Sequence, residues 1–140
     1  MNKLSLTVLT PEKVLIENLE VESITIPAWD GEMCVLPGHI PYMAQLREGI
    51  LKYKTGTDEE YLSIFWGFFE VYKNKVTILA EDANTPKEID EEKTRQEYQR
   101  AKDALVSGGK KESMDELEAQ MKKMMINLKL MNIRHKKKNN

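Results

Sequence analysis

The sequence predicts an all-β sandwich, in which two packed antiparallel sheets form a flattened barrel, over residues 1–86, followed by an antiparallel two-helix hairpin over residues 87–134. Apolar and polar residues alternate with period two in the first part, and helical spacing replaces that alternation after Pro86. The first part also contains both tryptophans and all five prolines. It carries 7 Lys and Arg against 13 Asp and Glu, whereas residues 87–140 carry 14 against 10. The first part is therefore net acidic and the second net basic, which indicates that the two parts contact different molecular environments.

Short apolar segments with alternating polarity define the predicted strands. The first strand places Leu4, Leu6 and Val8 on one face. After a turn at Pro11, further strands are predicted over residues 14–16, 21–26, 32–36, 43–46, 50–54, 60–66, 68–72 and 75–80. A polar break is expected around Asn18. Since no long helix separates these strands, we expect consecutive antiparallel pairing in two packed sheets.

Two connections have the composition of hairpin turns. Residues 54–58 contain Gly56, and Lys73-Asn74 contains an asparagine, and both residue types tolerate positive φ. Both positions are therefore predicted to join neighbouring antiparallel strands.

The first predicted helix begins after Asp90, which is a favourable N-cap residue. Its helical face is formed by residues at i, i+4, i+7 and i+11 spacing, namely Thr94, Tyr98, Ala101 and Leu105. Ser107-Gly108-Gly109 is expected to end this helix, because glycine favours the position just past a helix end.

A second helix is predicted to begin at a capping box formed by Ser113 and Glu116. Its apolar residues keep helical spacing: Leu117, Met121, Met124, Met125 and Leu128. The short connection makes the two helices an antiparallel hairpin. Because neither apolar stripe is wide, we expect the hairpin to need docking and to undock at low cost. Residues 135–140 are predicted to form a disordered basic tail.

Several functional classes lack their sequence signatures. There is no glycine-rich phosphate loop, no metal-spaced His or Cys cluster and no nucleophile-base pair. The longest apolar stretch, near residues 64–69, is far below the roughly 20 residues that span a bilayer. The single cysteine, Cys34, is expected to be buried. Basic residues of the second part alternate with acids, so a nucleic-acid partner is not predicted.

Three polar residues of the first part are candidate site residues. His39 lies between Pro37 and Pro41, which restrict the backbone and fix the direction of a loop side chain. It is either a locally hydrogen-bonded loop residue or a functional one. Asp30 and Glu32 flank a glycine and are either solvated turn residues or interface residues.

Ordered motifs along the first part resemble the epsilon subunits of F-type ATP synthases. The matching segments are Thr10-Pro11-Glu12, Gly31-Glu32-Met33, Val35-Leu36-Pro37-Gly38-His39, Gly67-Phe68-Phe69-Glu70-Val71, Val76-Thr77-Ile78-Leu79-Ala80 and Glu88-Ile89-Asp90. The sequence departs from the common family pattern at three positions: Ala28, Cys34 and Trp66.

The resemblance implies a non-catalytic central-stalk subunit. Its β-sandwich would bind the gamma subunit and the c-ring, with Asp30, Glu32 and His39 at this interface. The hairpin would alternate between a folded and an extended state and inhibit ATP hydrolysis through contacts with the alpha and beta catalytic subunits. Arg100, Lys122, Lys123 and Lys129 are candidates for those contacts by charge. The implied location is peripheral, on the cytoplasmic face of the bacterial plasma membrane, held there only through the complex.

In the family that the sequence resembles, some bacterial members bind ATP through a motif at the start of the hairpin. Ile89 and Asp90 match it, whereas Lys93 stands where the motif has arginine, and lysine does not reproduce the bidentate hydrogen bonding of arginine. Together with Arg100 these residues are candidates for weak ATP binding, and the other interpretation is a packed residue and a helix cap. No further cofactor and no metal are predicted. The alternatives to a rotor subunit are a free-standing ATP-sensing module and a small enzyme using His39 with Glu32.

Overall fold

A computed structural model describes the backbone of residues 3–108 and 111–139, and the side chains of residues 3–108 and 114–137. The chain divides into two compact units, Met1–Thr85 and Pro86–Asn140. The described residues of the first unit, the head, form eight strands: β1 (Leu4–Leu9), β2 (Val14–Val21), β3 (Ser23–Ala28), β4 (Gly31–Val35), β5 (Tyr42–Leu46), β6 (Gly49–Thr55), β7 (Asp58–Tyr72) and β8 (Lys75–Asn84). The second unit, the hairpin, contains a short 3₁₀ turn, Pro86–Glu88, and helices α1 (Glu91–Ser107) and α2 (Lys111–Asn139).

The head has the predicted β-sandwich architecture. Its strands are paired in the order β2-β1-β8-β7-β5-β3-β4, and β6 pairs with both β3 and β7. One pairing corrects the expectation of consecutive antiparallel neighbours, because β1 runs parallel to β8. Parallel strands need a long connection, and here the intervening strands β2 to β7 provide it.

The strand β7 is shared between two sets of neighbours. Its first half pairs with β6 from Asp58 to Ile64, and its second half pairs with β5 from Gly67 to Val71. Two separate strands were predicted here, but the structure contains one strand with a bend at Trp66 and Gly67, which have φ of 52° and 121°. A bend of this kind lets one strand turn the corner of a sandwich.

The polar break predicted near Asn18 is a bulge rather than a gap. The strand β2 continues through it to Val21, and the register with β1 shifts between Leu6 and Val8. Asn18 has a φ of 49°, and its N–H donates to Thr7 Oγ1 at 3.0 Å. This side-chain hydrogen bond replaces the ladder bond that the bulge removes.

The core of the head follows the predicted alternation. Leu4, Leu6 and Val8 are buried, and they pack with apolar residues of the other strands in one cluster. Cys34 is exposed, which corrects the expectation that it is buried. The register explains the difference, because Cys34 lies opposite Thr25 on the outward face, while its neighbour Val35 points into the core.

The hairpin begins as predicted but extends further. Asp90 is the N-cap of α1, and α1 ends at Ser107 before Gly108, whose φ is 82°. The helix α2 starts at Lys111, so the backbone of Ser113 lies within the helix and does not precede it. The side chain of Ser113 lies outside the described residues, as do Gly109 and Lys110. Lysine and glutamate are good helix formers, which accounts for the earlier start.

The structure also corrects the predicted disordered tail for residues 135–139, and Asn140 lies outside the described residues. The helix α2 continues through His135 to Asn139. Basic residues near a helix C-terminus interact favourably with the helix dipole, and His135 is additionally held by Glu91 of α1. The contact joins the end of α2 to the start of α1, so the helices are antiparallel.

Candidate partner-binding surfaces

Asp30 lies on the tight turn between β3 and β4, and Glu32 lies just after it. Ala28 pairs with Gly31, which leaves two residues in the turn, and the φ of Gly31 is 127°. The turn is fixed to β5, because the Trp29 N–H donates to the Gln45 carbonyl oxygen at 3.0 Å. Both carboxylates are exposed. The turn therefore presents two acidic groups on a restrained backbone.

His39 lies on the loop between β4 and β5, which covers residues 36–41. Its N–H donates to the Leu36 carbonyl oxygen at 3.1 Å, and its Nδ1 lies 2.7 Å from the Ile40 carbonyl oxygen. A carbonyl oxygen only accepts, so Nδ1 carries the proton. The ring also makes an edge contact with Tyr42. The His39 side chain is therefore held by contacts within its own loop and with the adjacent Tyr42. The next residue in this loop, Ile40, is 71% exposed.

The predicted pairing of His39 with Glu32 is not formed. Within residues 3–108 and 111–139, no hydrogen bond or ion pair joins any two of Asp30, Glu32 and His39. The same residues contain no group of three or more His, Cys, Asp or Glu side chains placed to hold a metal ion. The loops offer exposed polar groups suited to recognition and no acid-base constellation.

An exposed apolar row crosses the outer face of the head, and we did not predict it from the sequence. Cross-strand pairing aligns Val14 with Leu9, Leu9 with Leu79 and Leu79 with Phe68. Val14, Leu79 and Phe68 are 58%, 51% and 52% exposed, and Leu9 is half-buried. These four residues, the apolar row, span strands β2, β1, β8 and β7.

A groove lies on the head beside the loop of His39. Its volume is about 520 Å³, and its lining residues come from β5, β7 and the residue preceding β5: Pro41, Tyr42, Met43, Glu70, Val71 and Tyr72. Met43 and Tyr72 are exposed apolar side chains. Extended apolar surfaces of this kind are uncommon on monomeric proteins and mark interaction sites. For both the apolar row and the groove, the signal in the sequence was the presence of apolar residues at outward positions of the strands. Only the register between strands shows that these residues lie side by side.

The candidate nucleotide residues lie at the start of α1. Asp90 Oδ1 accepts a hydrogen bond from the Lys93 N–H at 3.1 Å, as an N-cap does. Ile89 is half-buried, whereas Lys93 and Arg100 are exposed. The capping interpretation of Asp90 has a hydrogen bond to support it, and ATP binding stays a prediction.

The candidate basic residues lie on both helices of the hairpin. Arg100 of α1 and Lys122 and Lys129 of α2 are exposed, and Lys123 is half-buried. Lys122 and Lys129 are seven residues apart and share one helix face. Neither helix, as described, combines the length and apolar character that crossing a bilayer requires.

The open end of the hairpin is closed by two polar contacts. His135 Nε2 donates to Glu91 Oε2 at 2.7 Å, and Arg134 donates to the Pro86 carbonyl oxygen at 3.4 Å. The hydrogen bond from His135 lowers the pKa of the Glu91 carboxyl below its ordinary value. Arg95, whose guanidinium lies 2.9 Å from Glu91, lowers this pKa further.

Comparison with known proteins assigns the family. The model of the ATP synthase delta/epsilon chain beta-sandwich domain matches residues 3–86. The ATP synthase epsilon chain of Elusimicrobium minutum is 36% identical over 107 residues, which cover 76% of this chain and 79% of the relative. This chain belongs to the ATP synthase epsilon-chain family. Epsilon chains are non-catalytic subunits, so the chain is not itself an enzyme.

Two further comparisons extend the likeness beyond the head. The ATP synthase epsilon chain of Symbiobacterium thermophilum is 30% identical over 129 residues, covering 92% of this chain and 93% of the relative. A chain in the cryo-EM structure of the Euglena gracilis mitochondrial ATP synthase is similar with a TM-score of 0.68 and 28% identity. The structural alignment covers 94% of this chain and 79% of the Euglena chain. The epsilon-type likeness therefore includes the hairpin as well as the β-sandwich.

Proposed function

We propose that this chain is the epsilon-type subunit of an F-type ATP synthase central stalk, where its head joins the gamma subunit to the c-ring during proton-driven ATP synthesis. The family match over the head and the relatives named ATP synthase epsilon chain support this role. The single observation that carries it is the apolar row on a head with one buried apolar core. In this role the chain is peripheral and reaches the cytoplasmic face of the bacterial plasma membrane only through its complex.

The apolar row is the proposed contact with the gamma subunit. Three of its four side chains are more than half exposed. Permanent complexes bury large apolar surfaces, and a rotor subunit has no reason to release its neighbour between turnovers. The alternating strand pattern keeps the opposite side of the same strands in the core, with Val8, Phe69 and Ile78 fully buried. A rigid sheet can therefore present this row without rearranging.

Serine substitution tests this contact. The double variant Phe68→Ser and Leu79→Ser is expected to weaken binding to purified gamma subunit by at least about tenfold, since two exposed apolar anchors are lost. The matched control is Val106→Ser, which removes a side chain that is 83% exposed but lies on α1. Unchanged gamma binding by the double variant would exclude the apolar row as the contact.

The turn of Asp30 and Glu32 and the loop of His39 are the proposed contacts with the c-ring. All three side chains lie on restrained backbone and reach solvent. Polar groups on rigid loops fix register against a polar partner surface more than they add affinity. The variants Glu32→Ala and His39→Ala are expected to reduce ATP-driven proton pumping of the reconstituted complex without lowering its ATPase rate. Normal pumping by both would argue against this contact.

The hairpin is the proposed regulatory element. Among its described side chains only Ala101, Leu130 and Met131 are fully buried, and its other apolar side chains stay partly exposed. Such segments open at low free-energy cost. In an extended state, Arg100, Lys122, Lys123 and Lys129 would meet acidic surfaces of the alpha and beta subunits and inhibit ATP hydrolysis.

Deletion of residues 86–140 tests the regulatory role. The strand β8 ends at Asn84, so a chain truncated after Thr85 keeps every strand of the head. The assembled complex with this chain is expected to hydrolyse ATP faster than the complex with the full chain. A full-length control in which Lys122, Lys123 and Lys129 are changed to Gln is expected to give part of that rise. Equal rates for the full and truncated chains would refute the regulatory role while leaving the gamma contact standing.

A further inference from the structure

Asn74 lies at the tip of the β7–β8 hairpin and contacts two other segments of the head. Both turn residues have positive φ, 48° for Lys73 and 62° for Asn74. The Asn74 carbonyl oxygen accepts the Ser5 N–H at 2.8 Å, at the start of β1. Its side-chain Oδ1 accepts the Gly38 N–H at 2.8 Å, in the loop between β4 and β5. One residue therefore ties the hairpin tip to the first strand and to the loop of His39.

The hydrogen bonds made by His39 lie within the loop of residues 36–41 and do not connect it to another segment of the head. The hydrogen bonds of His39 go to Leu36 and Ile40, within the same loop. Two prolines restrict the backbone but supply no N–H donor. The bond from Gly38 to Asn74 joins the loop to a segment 36 residues away in sequence. Among the described residues, this bond joins the middle of the loop directly to the β7–β8 turn.

Asparagine suits both demands of this position. It is among the few residues other than glycine that adopt the left-handed conformation readily, and its amide oxygen is a strong acceptor. Glycine would satisfy the backbone but lacks the acceptor. Aspartate keeps an acceptor oxygen and also tolerates this conformation. The structure therefore separates the two roles of Asn74 into variants that can be compared.

We propose that Asn74 is the positioning residue for the loop of residues 36–41, holding His39 and Ile40 in the orientation in which they meet the c-ring. The use of the loop at the c-ring rests on the proposed function, whereas the positioning itself does not. A loop ordered before binding loses less conformational freedom on docking, so positioning raises affinity without adding a contact. Asn74 itself need not touch the partner.

The first test measures the loop in the full chain. In Asn74→Gly, hydrogen exchange of the Gly38 amide followed by NMR is expected to accelerate at least about tenfold, because its acceptor is gone. Asn74→Asp is expected to restore slow exchange. The matched control Lys73→Gly changes the neighbouring turn residue, which also has positive φ, and is expected to leave Gly38 unaffected. Unchanged Gly38 exchange in Asn74→Gly overturns the proposal.

The second test measures docking to ATP synthase complexes depleted of this subunit. Asn74→Gly is expected to bind about threefold to tenfold more weakly than the wild type, and Asn74→Asp close to it. Loosened Gly38 exchange with unchanged affinity overturns the docking role of Asn74 if Ile40→Ser does weaken binding. If Ile40→Ser and His39→Ala also bind normally, the failure lies in the proposed c-ring contact. The exchange result then still decides whether Asn74 positions the loop.

Discussion

The substitution Gly67→Ala probes the bend of β7 directly. A Cβ atom built at Gly67 would lie 2.0 Å from the Leu79 carbonyl oxygen and 2.9 Å from the Ala80 Cα. Both are backbone atoms of β8, which pairs with β7 on either side of the bend, so neither can move aside as a side chain would. The φ of 121° adds strain for any residue with a Cβ.

The expected cost combines two terms. A residue other than glycine in this part of conformational space costs about 1–3 kcal/mol, and overpacking a close-packed site costs about 1–3 kcal/mol more. We expect Gly67→Ala to lower the free energy of unfolding of the head by about 2–6 kcal/mol. Since 1 kcal/mol moves the Tm of a domain this size by about 4–8 °C, Tm should fall by at least about 8 °C.

Gly31→Ala is the matched control for this prediction. Gly31 has a similar φ of 127°, but nothing lies within 4 Å of a Cβ built there. The control therefore carries the backbone strain and the change in unfolded-chain entropy without the overlap. Thermal and urea unfolding monitored by circular dichroism measure both variants. Equal losses of stability in the two variants would refute the claim that the approach of β8 is what requires glycine at Gly67.

Three predictions concern the hairpin. Asp90→Ala is expected to destabilise α1 by about 1 kcal/mol, seen as faster hydrogen exchange in its first turn, whereas Asp90→Asn keeps the cap and should exchange as the wild type does. His135→Gln is expected to raise the pKa of Glu91 towards its ordinary value in a carboxyl NMR titration. Because the pKa of Glu91 is lower in the folded state than in the unfolded state, its contribution to stability is present above the unfolded-state pKa. This contribution is lost as the pH falls through the folded-state pKa. An unshifted titration in this variant would contradict the contact. Asn127→Leu is expected to stabilise the hairpin by about 1 kcal/mol, since the buried Asn127 Oδ1 has no hydrogen-bond partner among the described residues, while Asn132→Leu at an exposed position should change stability by less than about 0.5 kcal/mol; equal effects would contradict this reasoning.

Local patterns gave most of the secondary structure. The alternation at Leu4, Leu6 and Val8 and the turn chemistry of Gly56 and Asn74 act over a few residues, so the sequence alone predicts them. The predicted cap at Asp90 is confirmed by its hydrogen bond to Lys93. The predicted gap within β7 was wrong because a bent strand and two separate strands have the same local pattern.

The candidate site was predicted less completely. Asp30 and Glu32 flank Gly31 and were interpreted as solvated turn residues or interface residues, and both are exposed. For His39, local hydrogen bonding was one of the two interpretations considered. The apolar row and the bond between Asn74 and Gly38 were not predicted. Both join residues far apart in sequence, and local composition carries no information on which strands become neighbours.

The sequence by itself determined most of the strand and helix segments, where the two units divide in composition and charge, and which family the motifs resemble. Only the tertiary structure decided that β1 runs parallel to β8, that Cys34 faces outward and that Leu9, Leu79 and Phe68 form one row. The physical reason is register. A shift of one residue moves every side chain of a strand to the other face, and the register is set by packing the whole core at once.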